Sequence, residues 1–217
     1  MILKEIAGVT LDGLVTRHAR LAFWINTYNA LVADGITALG ARRSVWEVPD
    51  FFARAACRAW DAVLSADDIE HGVLRGNRPS PLAGAPPFAR DDARLAHAIV
   101  PMDPRIHFAI NCGARSCPAV RTYDAERLDA QLDAATRAFV ARRVTAVGDA
   151  LVVSEIFKWF RADFDDGPGG LAGFLVSHLD DGAARRRILE GELASLAYEP
   201  YDWRLAPPST DSWTDQA

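Results

Sequence analysis

The sequence predicts an α+β fold, a single helix-rich domain with a small, mostly antiparallel sheet. Three observations predict it. Apolar residues recur at three- and four-residue spacing over residues 14–35 and again through Leu128, Leu132, Ala135, Phe139 and Val140, the period of an amphipathic helix. Period-two alternation of Ile106, Phe108 and Ile110 with His107 and Ala109 reads as a strand, and residues 142–154 read as a hairpin turning at Gly148 and Asp149. With 217 residues, half of them apolar, the chain is long enough for one sizeable core.

In the first helix, over residues 14–35, Leu21, Trp24, Ile25, Tyr28, Leu31 and Val32 form the core stripe. Asn26 and Asn29 lie off its centre line, either bonded to a neighbouring loop or orienting a catalytic group. The stretch through Trp46, Phe51 and Trp60 has no clear period. Ser65 with Asp68 is a capping-box variant that opens a helix over residues 65–75, in which His71 and Arg75 share a face. Residues 76–87 are rich in Pro and Gly and read as a surface loop; a helix over 91–99 follows and stops at Pro101 and Pro104. The strand at 105–110 points His107 away from the more apolar face, with Asn111 at its end. Pro118 after Ser116 and Cys117 suits the first turn of a helix, which places Cys117 at a helix N-terminus, where the dipole and unbonded amides lower a thiol pKa. Beyond the hairpin, Ser154 caps a helix holding Ile156, Phe157 and Phe160 and ending near Asp163 and Asp165. Amphipathic helices over 170–179 and 183–196, a closing YEPYDW strand and a polar tail at 208–217 complete a domain assigned to residues 1–207.

A net charge of −5, with no basic run beyond residues 185–187, leaves no electrostatic footprint for nucleic acid. Nothing approaches the roughly 18 apolar residues of a membrane span, and the first residues lack a secretion signal, so the expected location is cytoplasmic and no membrane partner is expected. Three cysteines, Cys57, Cys112 and Cys117, are too few and too uneven for a disulfide framework and are read as individual thiols.

The chemistry is concentrated in DPRIHFAINCGARSCP, residues 103–118. A thiol, an imidazole and an amide are the working parts of nucleophilic acyl chemistry. The expected function is a thiol-dependent hydrolase or acyl/amide transferase with an amide or thioester substrate, small or peptide-like, and no cofactor. Cys117 attacks the carbonyl, His107 or His71 takes its proton, Glu70 or Asp163 fixes the imidazole, and Asn111 or Asn26 donates to the oxyanion. Arg75 and Arg105 are candidates for a substrate carboxylate, each equally suited to pair with a nearby acid, and Cys112 is placed beside the substrate. Two alternatives stand beside it. One makes Cys112, Cys117, His107 and His71 zinc ligands, or Cys112 and Cys117 a reversible disulfide, although four residues between the thiols is a poor zinc spacing. The other is a non-catalytic binding module whose polar residues form a buried framework: Glu70 to Arg75 or Arg105, Asn26 to a backbone turn, Asp163 to Arg161 or Lys158.

Five blocks, in order, carry a resemblance: FWINTYNAL at 23–31, DDIEHGVLR at 67–75, the 103–118 block, SEIFKWFRADF at 154–164 and YDWRL at 201–205. Together they resemble the domain of unknown function 547 family. The resemblance implies no established activity. Members are associated with bacterial proteins, many exported, and with plant proteins in which the domain follows a leucine zipper; this sequence shows neither a leader nor heptads. It also departs from the family where Arg204 and Leu205 follow Trp203 in place of the common Ser and Asn. By analogy of parts, a thiol at a helix start facing a histidine on a strand suits a papain-like or transglutaminase-like arrangement.

Overall fold

Thr16 begins the first helix, α1 (Arg17–Ala38): its hydroxyl accepts from the Ala19 N–H at 3.0 Å, satisfying one of the amides a helix start leaves open. The stripe read from the sequence is the buried one, with Leu21, Trp24, Ile25 and Tyr28 each at most 1 % exposed. The computed structural model describes residues 2–5, 13–59, 62–81, 84–148, 150–191 and 196–207; the tail at 208–217, Trp60 and Asp149 lie outside them.

Two three-stranded sheets flank the helices. In the first, β2 (Ala55–Ala59) pairs parallel with β1 (Ile2–Glu5) and antiparallel with β3 (Ala62–Ser65). In the second, β4 (Val144–Val147) and β5 (Ala150–Ser154) form the expected hairpin, and β6 (Leu196–Glu199) joins β5 in parallel. The helix-rich α+β class therefore holds, but the strands form two mixed sheets, not one mostly antiparallel one. The short helix α2 (Phe51–Arg54) leads into β2, and the long α3 (Leu128–Arg143) into β4.

Three local expectations fail for physical reasons. The His107 run is no strand; Pro104–Phe108 is a 3₁₀ turn, capped by Asp103 accepting from the Arg105 N–H at 3.0 Å with Pro104 at the first turn. Ile106, His107 and Phe108 are all buried, so the alternation marked no solvent face. Nor does Cys117 start a helix. Residues 114–117 form a turn docked on the C-terminal segment, through an Ala114–Leu205 bridge and bonds from Arg115 N–H to Arg204 O and Ser116 N–H to Asp202 O. No helix follows until α3. Likewise the expected helix over 91–99 is a 3₁₀ turn, Ala93–His97.

The capping box is present in both directions: the Ser65 N–H donates to Asp68 Oδ2 at 2.9 Å and the Asp68 N–H to Ser65 Oγ at 3.0 Å. What it opens is a π-helical segment, Asp68–Leu74, a wide turn frequent at functional sites. Gly72 lies within it under the Phe88 ring, where a Cβ would come within 2.3 Å of ring carbons. Ser154 Oγ accepts from the Ile156 N–H at 3.3 Å and starts α4 (Ile156–Trp159), which breaks at Phe160 before α5 (Arg161–Asp165). Helices α6 (Gly170–His178) and α7 (Ala183–Leu189) close the second half. Among the described residues no helix is long and apolar enough to cross a membrane.

Buried apolar residues form two clusters. One gathers α1, β2, β3 and the π-helical segment, the other Phe108, the end of α3, β5, α4 and α6. The π-helical segment on one side and α4–α5 on the other carry the site described next.

Candidate functional site

A cavity of about 570 Å³ opens where the two clusters meet, lined by Glu70 and His71 from one side, Ile156, Trp159 and Phe160 from the other, and His107, Cys112 and Cys117 between them. That is the size and character of a small-molecule site: mostly apolar walls with a few polar groups.

The two half-buried sulfurs of Cys112 and Cys117 are 2.8 Å apart. Cys117 Sγ accepts the Cys112 backbone N–H at 3.2 Å and lies 3.1 Å from Tyr201 Oη. Burial pushes the Cys117 thiol up, but hydrogen bonds from Cys112, Tyr201 and the Cys112 and Ala114 amides outweigh it, and the net direction is down. Cys112 moves the other way, raised first by its bond to Cys117 and then by burial. The two thiols are thus pushed in opposite directions, Cys112 towards keeping its proton and Cys117 towards losing it. The hydrogen bonds of Cys117 go to Cys112 and Tyr201; among the described residues none comes from an imidazole.

The imidazoles belong to a second, deeper network. Asp163, which is 2 % exposed, receives Arg75 at both oxygens, Nε at 2.6 Å and Nη2 at 3.1 Å, together with Arg78 Nη1 at 3.0 Å and His107 Nε2 at 2.9 Å. Burial opposes its charge, but the bonds from His107 and Arg75 hold its carboxyl well below the usual carboxylate range. A carboxylate only accepts, so His107 carries its proton on Nε2, and the lone pair of the neutral ring is on Nδ1, which has no hydrogen bond among the described residues. Phe160 stacks on the ring at 4.1 Å and lies under the Arg75 guanidinium, fixing both planes.

His71 is fixed the opposite way. Arg75 Nη1 lies 3.1 Å from His71 Nδ1, and since a guanidinium only donates, Nδ1 accepts and the proton is on Nε2. Burial, with Arg75 and His107 behind it, lowers the pKa of His71 against the pull of Glu70, so the ring is neutral. Its Nε2–H has no partner among the described residues, and the ring lines the cavity.

Other residues expected in the site have different duties. Glu70 lines the cavity but accepts from Tyr28 Oη at 2.9 Å and fixes no ring by hydrogen bond. Both amide atoms of Asn26 are used by the backbone of Tyr123, at 2.7 and 2.9 Å, and those of Asn111 by Pro118 O and the Gly113 N–H, at 2.6 and 2.7 Å. Neither lines the cavity, so neither is placed as an oxyanion donor; Asn26 ties α1 to Tyr123, and Asn111 clamps the turn that carries the thiols. Arg75 is spent on Asp163, and Arg105 on Asp103, Asp129 and Asp133, away from the cavity. Asp163 takes Arg75 and Arg78, whereas its neighbours Arg161 and Lys158 pair with Asp165 and Glu155. Among the described residues, no three His, Cys, Asp or Glu side chains are arranged to hold a metal ion, so the four weighed as zinc ligands do not form a set. Tyr201 is the participant that sequence reasoning missed: it reaches the sulfur from 84 positions away, with no spacing to announce it.

The profile of a family described as "Protein of unknown function, DUF547" matches residues 13–140, more than half of the chain. The chain belongs to the DUF547 family. The match includes the thiols, His71 and His107 and ends before Asp163 and Tyr201, so the DUF547 profile spans the thiol side of the cavity and not the segment that supplies its phenol. No curated protein and no solved structure matches the chain.

Proposed function

We propose that this protein is a thiol-dependent hydrolase or acyl transferase, with Cys117 attacking the carbonyl carbon of an amide or thioester bound in the cavity. One observation carries the reading: a sulfur at a cavity wall, surrounded by the Cys112 N–H, the Cys112 thiol and the Tyr201 hydroxyl, with its pKa lowered despite burial. Those donors supply the ionisation that an adjacent imidazole supplies in other thiol enzymes, which accounts for the lack of a Cys–His bond.

Attack forms the carbon–sulfur bond and moves the carbonyl π electrons onto oxygen; collapse of the adduct expels an amine or thiol, which needs one proton. His107 suits that task. Asp163 accepts at Nε2 and stabilises the imidazolium, leaving Nδ1 to hold the proton that Cys117 gives up on ionising, relayed through solvent, and to pass it to the leaving group. His71 is unsuited to it, because Arg75 occupies the nitrogen that would accept. Its Nε2–H instead suits the developing oxyanion. Water or a second nucleophile then releases the acyl group.

Iodoacetamide labelling followed by peptide mapping across pH 5–10 tests the proposal. Cys117 should react first, with a midpoint below that of Cys112 and of buried Cys57, whose thiol burial raises to about 11. Equal or absent labelling of Cys117 at pH 7 refutes it.

A further inference from the structure

We propose that the cavity recognises a substrate bearing a protonated amine, its ammonium held between an aromatic wall and the carboxylates of Asp67 and Glu70. Identifying that molecule as the acyl substrate rests on the thiol reading above; the ammonium site itself does not.

The charge lining the cavity is one-sided. Asp67 and Glu70 are there, and no Lys or Arg is among the lining residues. The nearest guanidiniums are committed elsewhere: Arg75 to Asp163, and Arg78 to Asp163 and Asp166. Glu70 accepts one hydroxyl hydrogen bond, from Tyr28, while the Asp67 carboxylate has no hydrogen bond or ion pair among the described residues. Burial first, then Glu70, Asp68 and Asp50, push the Asp67 carboxyl up to about 6, so at neutral pH it is ionised beside a second carboxylate with no counter-ion. Folded proteins do not keep such pairs without a reason, and a ligand cation is the complement that this one lacks.

The same cavity has an aromatic wall of matching chemistry. Trp46 meets Trp203 edge-on with ring centroids 4.9 Å apart, and Trp203 meets Tyr201 at 4.7 Å and Trp159 at 5.7 Å, giving a contiguous cluster of four aromatic rings along the cavity. Aromatic faces beside carboxylates are what recognise ammonium groups. A second, independent observation points to an acceptor on the ligand as well. His71 is 7 % exposed, lines the cavity, and its Nε2–H is unpartnered, so the occupant brings an oxygen to it. A carbonyl oxygen at one end and an ammonium at the other describe an amino-acyl or amino-amide compound.

The test is calorimetric titration of the Cys117→Ser protein at pH 7.5 with three probes of one length: pentylammonium, pentanol and pentanoate. Pentylammonium should bind at least ten-fold more tightly than pentanol, with pentanoate weakest. Asp67→Asn, an isosteric change at a residue without partners, should cut the affinity for pentylammonium at least five-fold and leave pentanol unchanged. Trp203→Leu should weaken pentylammonium more than pentanol. Equal affinity for amine and alcohol, or indifference of the amine to Asp67→Asn, overturns the ammonium site. Because labelling of Cys117 is read separately, an inert thiol with a selective ammonium site removes the acyl chemistry and keeps this inference, and a reactive thiol without amine selectivity does the reverse.

Discussion

Asp67→Asn should make the protein more stable at neutral pH, and the size of the gain follows from the site. The folded-state carboxyl rises from its ordinary 3.8 to about 6. A carboxyl with a raised folded pKa binds its proton more tightly when folded, so its stabilising effect is complete below the unfolded value and is lost as pH climbs through the window between the two. Roughly two units at about 1.36 kcal/mol each give about 3 kcal/mol lost by pH 7.5. Asp67 is only partly buried, and solvent screening reduces this to about 1.5 kcal/mol. Asparagine keeps the shape without the charge, so urea unfolding at pH 7.5 should show a gain of about 1.5 kcal/mol, or about 3–6 °C in Tm. At pH 4.5, inside the window, the gain should fall to about a third of that. A variant that is less stable than the parent at pH 7.5, or whose gain is the same at both pH values, would show that Asp67 has a stabilising partner and refute the reasoning. A stabilising substitution that weakens amine binding is also the signature of a residue retained for function at a cost to the fold.

Three further outcomes are expected. Arg75→Leu strands the Asp163 carboxylate among buried groups with only Arg78 and His107 as partners, and should cost about 3–5 kcal/mol in chemical denaturation. Tyr201→Phe removes one hydroxyl donor from Cys117 and should raise the labelling midpoint of that thiol by about one pH unit, worth about 1.4 kcal/mol, while Cys57 is unaffected. One equivalent of hydrogen peroxide should oxidise Cys117 to a sulfenic acid that Cys112 displaces with loss of water, read as a two-dalton decrease reversed by dithiothreitol; the sulfurs already touch. A persistent sulfenic or sulfinic acid would show that Cys112 cannot resolve it.

Elements governed by local chemistry were legible. The α1 stripe, the Ser65–Asp68 capping box and the β4–β5 hairpin each follow from residues within a few positions of one another. Period failed where burial is on all sides: in Pro104–Phe108 every residue around His107 is sheltered, so alternation of apolar residues described no face, and Asp103 with Pro104 decided the conformation. Cys117 was misplaced for a related reason. Pro118 permits a helix start but does not require one, and the amides of Arg115 and Ser116 are taken by carbonyls of Arg204 and Asp202 far along the chain. The site shows the same division. The pairing of His71 with Arg75 spans four positions and was readable; that of Asp163 with Arg75 spans 88, and nearer cations, Arg161 and Lys158, were the natural guess. The Pro-rich run at 76–87 concealed Arg78, whose guanidinium returns to Asp163.

The long reach of Tyr201 has a consequence for the life of the chain. Its hydroxyl arrives only when β6 has docked beside β5 and the following residues have latched at Leu205. A chain cut before Tyr201 lacks one of the hydrogen-bond partners of Cys117 and keeps those from Cys112, so truncation there should raise the labelling midpoint of that thiol as Tyr201→Phe does.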